Sequence, residues 1–492
     1  MTFRGSGRPR PSGIAMLAVA FALFGVAWLF STPPFRAPDE PAHYLRALTI
    51  ADGSLLGPRE PVDQLGRLTL RDGGWEAAQE RWVLHDRRGL VVPAGLSPPN
   101  SLCLDGQPDL EGSCTEVTYT GDYFPLPYLL PAATMAPADS DTTALWLARA
   151  GSLILALAWL VIALALTGPG VGWGTIGVVA AITPTTLFIA AVVNPSGLEL
   201  AANLAFIAAL GRLRRGGART PRWVWWALVL SGATTILAWQ LGPLFALADL
   251  AVFTALIGPR ALRTLRREQR TPATIAGLGL ACAVGVWLIY GELSGELHSS
   301  IAVTPLGAAL KGGYEQLGPT LRGAVGVFGD LTVKLPSPMS EIWWALVAAL
   351  LIGALSVADR RERVVLVTTT VGALAFPVVF YAFSYRTSGF GMQGRYALPV
   401  LALVPTVSGM VLSGRPRTAI SEQLIRLSLG AAALFQLIAW WVNAHHWGTT
   451  DLRIGVIGWT PPTQWWPLLA AGALGVFAMI SAGFSSRGSR RA

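Results

Sequence analysis

"GIAMLAVAFALFGVAWLFSTPPFRAPDEPAHYLRALTIADG" occupies residues 13–53. Its first part, Ile14 to Phe30, is apolar and uncharged. That is close to the ~20 residues a helix needs to cross hydrocarbon. Two adjacent acids, Asp39 and Glu40, then stand between Pro38 and Pro41. Pro38 disfavours helix before it, and Pro41 suits a first helical turn. Residues 41–51 therefore read as a short helix. Leu45 and Leu48 share one face, while His43, Arg46 and Ile50 share another. A helix so short, directly after a membrane exit, is expected to lie at the interface. Asp39 and Glu40 precede its N-terminus, where the helix dipole favours negative charge.

The remainder repeats the apolar theme. Of the 492 residues, 52% are hydrophobic and 13% charged, against about 25% charged in soluble chains. Twelve spans are expected, at about 13–31, 142–167, 171–193, 196–211, 222–239, 241–258, 273–291, 341–357, 363–384, 395–413, 422–442 and 464–484. The chain reads as an all-α polytopic membrane protein and a single membrane domain, 1–492. The first segment has a long apolar core and no A-x-A pattern after it, so it is expected to be a retained anchor.

The net charge of +9 does not point to nucleic acid, because the arginines sit between spans. Arg4, Arg8 and Arg10, the run 212–222, "PRALRTLRREQR" (259–270), "DRRER" (359–363), "GRPR" (414–417) and "SSRGSRRA" (485–492) all fall on one side of a twelve-span chain. By the positive-inside rule that side is the cytoplasm, with both termini in it. The other side then carries a long loop, 32–141, which includes the helix 41–51, and a second, 292–340. Polar chemistry is expected on that extracytoplasmic face. Cys103 and Cys114 lie in the first loop, where an oxidising exterior would allow a disulfide. "WEAAQERW" at 75–82 reads as a short helix within it.

Asp39 and Glu40 are the candidate catalytic carboxylates, since an ionised carboxylate can take a proton from a hydroxyl. A cap and a first-turn acid is the plainer alternative. With His43 the pair could also hold a divalent cation such as Mg or Mn, although one E-x-x-H is a weak metal signal. His43 and Arg46 read as orienting or acceptor-binding groups. In "MQGRYALPV" (392–400), Gln393 and Arg395 begin the tenth span, and Arg386 ends the ninth. Two arginines on the outer side suit a phosphate, which a guanidinium binds through paired donors. Anchoring at the interface is the alternative. "GDYFPLPYLLP" (121–131) offers Asp122 to the acidic cluster, with Tyr128 read as an aromatic belt residue. Asn194, in "NPSG", stands near the same face. Asp249, inside the sixth span, reads either as a proton path or as a buried, hydrogen-bonded acid.

"PDEPAHYLRA" after a first span, a Pro- and Tyr-rich stretch before the second and "QGRYALPV" late in the chain together resemble the bacterial membrane family called domain of unknown function 2142. That family is similar to the GT-C glycosyltransferases. The resemblance implies a GT-C-like fold with about 12 transmembrane helices and a polyprenyl-phosphate-linked sugar as donor. It implies an envelope glycan or glycolipid as acceptor, Asp39 as base and Glu40 as its partner or as an acceptor or metal contact. A membrane-embedded donor needs no nucleotide-binding domain, and none is evident. One base without a protein nucleophile implies inversion. Alternatives are a transporter or lipid flippase, a polysaccharide polymerase or ligase, and a non-catalytic assembly subunit.

Overall fold

Helix α1 (Gly13–Ser31) is uniformly apolar, as a segment crossing lipid must be. The computed structural model describes residues 12–56, 88–93, 102–103, 113–294, 304–388, 391–449 and 458–485. After α1 comes α2 (Glu40–Ala51), with Pro41 in its first turn, matching the expected helix 41–51. Three short strands follow, β1 (Arg88–Pro93), β2 (Leu102–Cys103) and β3 (Ser113–Thr118), in an antiparallel sheet of order β1-β3-β2. A 3-10 turn (Leu126–Tyr128) and α3 (Leu129–Met135) lead back to the membrane.

The helices then run α4 (Asp141–Leu166), α5 (Trp173–Ala181), α6 (Pro184–Ala190), α7 (Pro195–Gly216), α8 (Arg222–Ala238), α9 (Gly242–Ile257) and α10 (Pro259–Glu268). Beyond them lie α11 (Arg270–Ser294), α12 (Leu306–Gly326) and the hairpin β4 (Val327–Phe328) and β5 (Val333–Lys334). The chain closes with α13 (Met339–Val357), α14 (Arg360–Ser388), α15 (Gly394–Leu401), α16 (Leu403–Ser413), α17 (Ala419–Thr449) and α18 (Trp465–Ala482).

Among the described residues, nine helices are long and apolar enough to cross a bilayer, or up to eleven if each bent pair counts as one span. The pairs are α5–α6, bent by 64°, and α9–α10, bent by 103°. The expected span 171–193 is thus a broken one. Pro184 opens α6, and Thr183 caps it through its own hydroxyl. The expected span 222–239 is α8, with 17 residues, at the short end of what can cross.

Burial divides the bundle into an inner and an outer set. Helix α7 and the α15–α16 segment are almost wholly enclosed, whereas α11 is mostly exposed. Leu278 and Ile289 of α11 point outward, where lipid chains replace water as the apolar neighbour. Where inner helices meet, glycines bring backbones together: a Cβ on Gly177 of α5 would stand 2.6 Å from the Pro405 carbonyl of α16. Small residues allow such approach in membrane bundles.

Cys103 stands opposite Glu116, and Cys114 opposite Val92. Their side chains, and the segment 75–82, lie outside the described residues.

Candidate functional site

Asp39 occupies the N-cap position of α2, but its side chain makes no cap hydrogen bond. Its backbone is left-handed, with φ 58° and ψ 10°, a conformation in which Asp and Asn are over-represented among non-glycine residues. The chain turns sharply there, and the carboxylate points away from the helix to Arg395 of α15, with which it forms an ion pair. The Asp39 side chain remains 32% exposed, while that of Arg395 is 4% exposed. The Tyr119 hydroxyl donates to the same carboxylate. Burial alone would raise the Asp39 pKa; Arg395 and the Tyr119 hydrogen bond outweigh it and hold the group below its usual range. Asp39 is therefore an ionised, partly open carboxylate beside a buried cation.

The Arg395 guanidinium is only partly used. Its Nη2 serves Asp39 and donates to the Tyr396 hydroxyl at 2.9 Å. Among the described residues, its buried Nε and Nη1 find no hydrogen-bond partner. An unmatched buried N–H costs about 1–3 kcal/mol, more when charged. The guanidinium borders a cavity of about 190 Å³, whose wall includes Pro38, Gln393, Gly394, Gly323 and Lys334. Gln393 contributes a buried Oε1 that also lacks a partner. Gly394 is required sterically, since a Cβ there would collide with the backbone of Gly323 and Ala324 in α12. On the far side, Tyr396 stacks on Trp239 with ring centroids 4.8 Å apart.

Glu40, adjacent in sequence, is placed quite differently. It is fully buried and bound in two-point fashion by Arg149 of α4, at 2.8 Å from Nε and 2.6 Å from Nη2. Arg149 also donates to the carbonyls of Leu29, Thr32 and Pro33 at the end of α1. The Val193 amide donates to Glu40 Oε1 at 3.2 Å. Glu40 thus fastens the exit of the first span to the second long helix, and its oxygens are occupied.

His43 is buried, hydrogen bonded through Nδ1 to the Tyr128 hydroxyl at 2.9 Å. Tyr128 is enclosed, so it is part of this core and not of an aromatic belt. Burial pushes the His43 pKa down to about 3, so the ring is neutral at physiological pH. In the unfolded chain it would take a proton near 6.5. The unfolded state then binds more protons below that pH, and stability falls as pH drops from about 6.5 toward about 3. Thermal unfolding from neutral pH down to about 4 is expected to show this slope in the wild type and a shallower one in His43→Gln.

Arg46 is buried and donates from Nε and Nη2 to the Tyr123 carbonyl at 3.1 and 2.8 Å. Asp122 is buried in the same turn. Asn194 caps α7 and donates to the Pro38 carbonyl at 3.1 Å, holding the turn that presents Asp39. Arg386 donates to the Thr304 carbonyl at 2.9 Å and does not line the Arg395 cavity. The expected metal set does not assemble, because Asp39, Glu40 and His43 are committed to Arg395, Arg149 and Tyr128. Among the described residues, no three His, Cys, Asp or Glu side chains group to hold a metal ion. Within the spans, Asp249 accepts from Asn203 Nδ2 at 2.6 Å, the hydrogen-bonded alternative for that acid.

Four important groups were not singled out from sequence. Arg149 had a signal: a lone arginine in an apolar run demands a partner. Tyr119 sits two residues before "GDYFPLPY", and Tyr396 lies inside the quoted "GRYALPV". Lys334 is one of only two lysines in the chain.

A family model described as "Predicted membrane protein (DUF2142)" matches residues 21–404. The chain belongs to the DUF2142 family. The match takes in both the α2 motif and the Arg395 motif of this DUF2142 protein. No match is found among functionally curated proteins. Among solved structures, the chain is similar to ArnT from Cupriavidus metallidurans bound to undecaprenyl phosphate. Identity is 12% and the TM-score 0.46, covering 96% of this chain and 76% of that one.

Proposed function

We propose that this protein is a membrane glycosyltransferase that moves a sugar from a polyprenyl phosphate to a hydroxyl of an envelope glycan or glycolipid. The reaction takes place on the extracytoplasmic face. The observation that carries the reading is the buried Arg395, with two donor nitrogens unmatched, at the wall of a cavity and paired to a partly open carboxylate.

In this reading the lipid phosphate enters the cavity and accepts from Arg395 Nε and Nη1, with Lys334 contributing charge at the rim. The acceptor oxygen attacks the anomeric carbon as the bond from that carbon to the phosphate oxygen breaks. The electron pair leaves on the phosphate, where Arg395 stabilises it. The proton goes from the acceptor hydroxyl to Asp39. One displacement without a protein nucleophile inverts the anomeric centre.

The ion pair also helps to time this chemistry. The phosphodiester anion of the donor at Arg395 offsets part of the positive charge that depresses the Asp39 pKa, so the carboxylate becomes a stronger base once donor is bound. Glu40 and Arg149 act as positioning residues, and His43 and Arg46 hold α2 against the 118–128 segment.

The binding half is tested with a photoreactive polyprenyl phosphate and purified protein. Labelling is expected at the cavity in wild type and is expected to fall at least about tenfold in Arg395→Gln, which loses charge-assisted donors. Equal labelling of the two proteins would remove the phosphate assignment. A transporter or lipid flippase is the alternative; acids inside spans often mark a path, and Asp249 is such an acid, here engaged by Asn203. Flux in proteoliposomes without any sugar transfer would favour that second reading.

A further inference from the structure

At the end of α7 away from Asp39 lies a second polar cavity, of about 150 Å³. Helix α7 starts at Asn194, which touches Pro38. Arg212, eighteen residues along, stands roughly 27 Å from it at 1.5 Å per residue, close to one hydrocarbon thickness. The cavity wall includes Arg212, Arg215, Arg415 and Arg417 together with Gly168 and Gly172 of the α4–α5 link.

The arrangement is built and unbalanced in charge. Arg215 is held by the carbonyls of Leu166 and Thr167 at 3.0 and 2.9 Å. Arg415 is held by Glu362 at 2.6 Å, with its Nε buried and unmatched. Glu362 also serves Arg214, so this one carboxylate answers two arginines. Among the described residues, Arg212 and Arg417 make no hydrogen bond or ion pair. A side chain on Gly172 would collide with the Arg417 guanidinium. On Gly174 a Cβ would stand 3.2 Å from Arg215 Nη1. The glycines in "TGPGVGWG" therefore let cations lie against the backbone. The N-terminus of α5, capped by Gly172, adds its positive dipole end.

We propose that this cavity is an anion site for a phosphate group, on the opposite face of the membrane from Asp39. Guanidinium groups converging from two chain segments, the end of α7 and residues 415–417, suit the several oxygens of a tetrahedral anion better than a planar carboxylate. At that depth the phosphate belongs to the headgroup of an anionic phospholipid, or it is a soluble phosphate.

The full-length protein would be reconstituted in phosphatidylcholine nanodiscs with graded phosphatidylglycerol, and retained lipid measured by native mass spectrometry after extraction. The wild type is expected to retain phosphatidylglycerol, and Arg212→Gln with Arg417→Gln to weaken retention at least about tenfold, since each loses a charge-assisted contact. Arg263→Gln with Arg266→Gln in α10 removes equal charge nearby and is expected to change nothing. Arg417→Gln alone, at an exposed residue, guards against misfolding of the double variant. Inorganic phosphate raising the melting temperature of wild type but not of the 212/417 variant, without lipid retention, would support the site and assign a soluble occupant. Equal retention in wild type and the 212/417 variant, or equal loss in the 263/266 control, would overturn the proposal.

Discussion

Asp39→Asn is expected to reduce sugar transfer by about 10²–10⁴-fold, the usual contribution of a positioned general base. The substitution isolates charge, because Asn tolerates the left-handed backbone as well as Asp does and its amide oxygen can still accept from Arg395. Donor binding is expected to survive, since Arg395 is released from its ion pair and remains free to meet a phosphate. The informative result is therefore lost turnover with retained donor binding, measured on one proteoliposome preparation with a polyprenyl-phosphate sugar. Asp39→Ala would add backbone strain to the loss of charge and so is the poorer probe. Wild-type turnover in Asp39→Asn would remove the carboxylate from the chemistry and leave a helix-terminus acid.

Arg149→Leu is expected to destabilise the protein by about 3–5 kcal/mol, because it strands a buried Glu40 carboxylate. Glu40→Leu is expected to cost nearly as much by stranding the guanidinium. The double variant Glu40→Leu with Arg149→Leu is expected to recover much of the loss, since neither charge is left unpaired. Thermal unfolding of the four proteins forms a double-mutant cycle, and a large coupling energy is the expected outcome. If Glu40 were instead an acid or base in the reaction, Glu40→Gln would abolish transfer while melting like the wild type.

Much of this was legible in the sequence, and the reasons differ by element. The spans were readable because lipid demands long apolar runs, which α1, α4 and α18 supply without ambiguity. Helix α2 was readable from Pro38, Pro41 and the spacing of Leu45 and Leu48. The break in the third expected span was not, because hydropathy averages over Thr183 and Pro184. Asp39 and Arg395 could be proposed separately, yet their pairing across 356 residues depends on how α15 packs against α12. Equally hidden was the division of labour between Asp39 and Glu40. One peptide bond separates them, and the left-handed turn at Asp39 lets one carboxylate meet Arg395 while the other enters the bundle to meet Arg149.

After α2 the chain comes back to that same helix before α3 begins. Thr118 and Thr120 both donate to the Ala42 carbonyl, at 3.1 and 2.7 Å, so the returning chain is tied to the helix from which it departed. The stretch 52–117 is therefore fastened to one helix at both its ends. Its length and composition can change over generations without shifting Asp39, because loop closure costs little more as a loop grows.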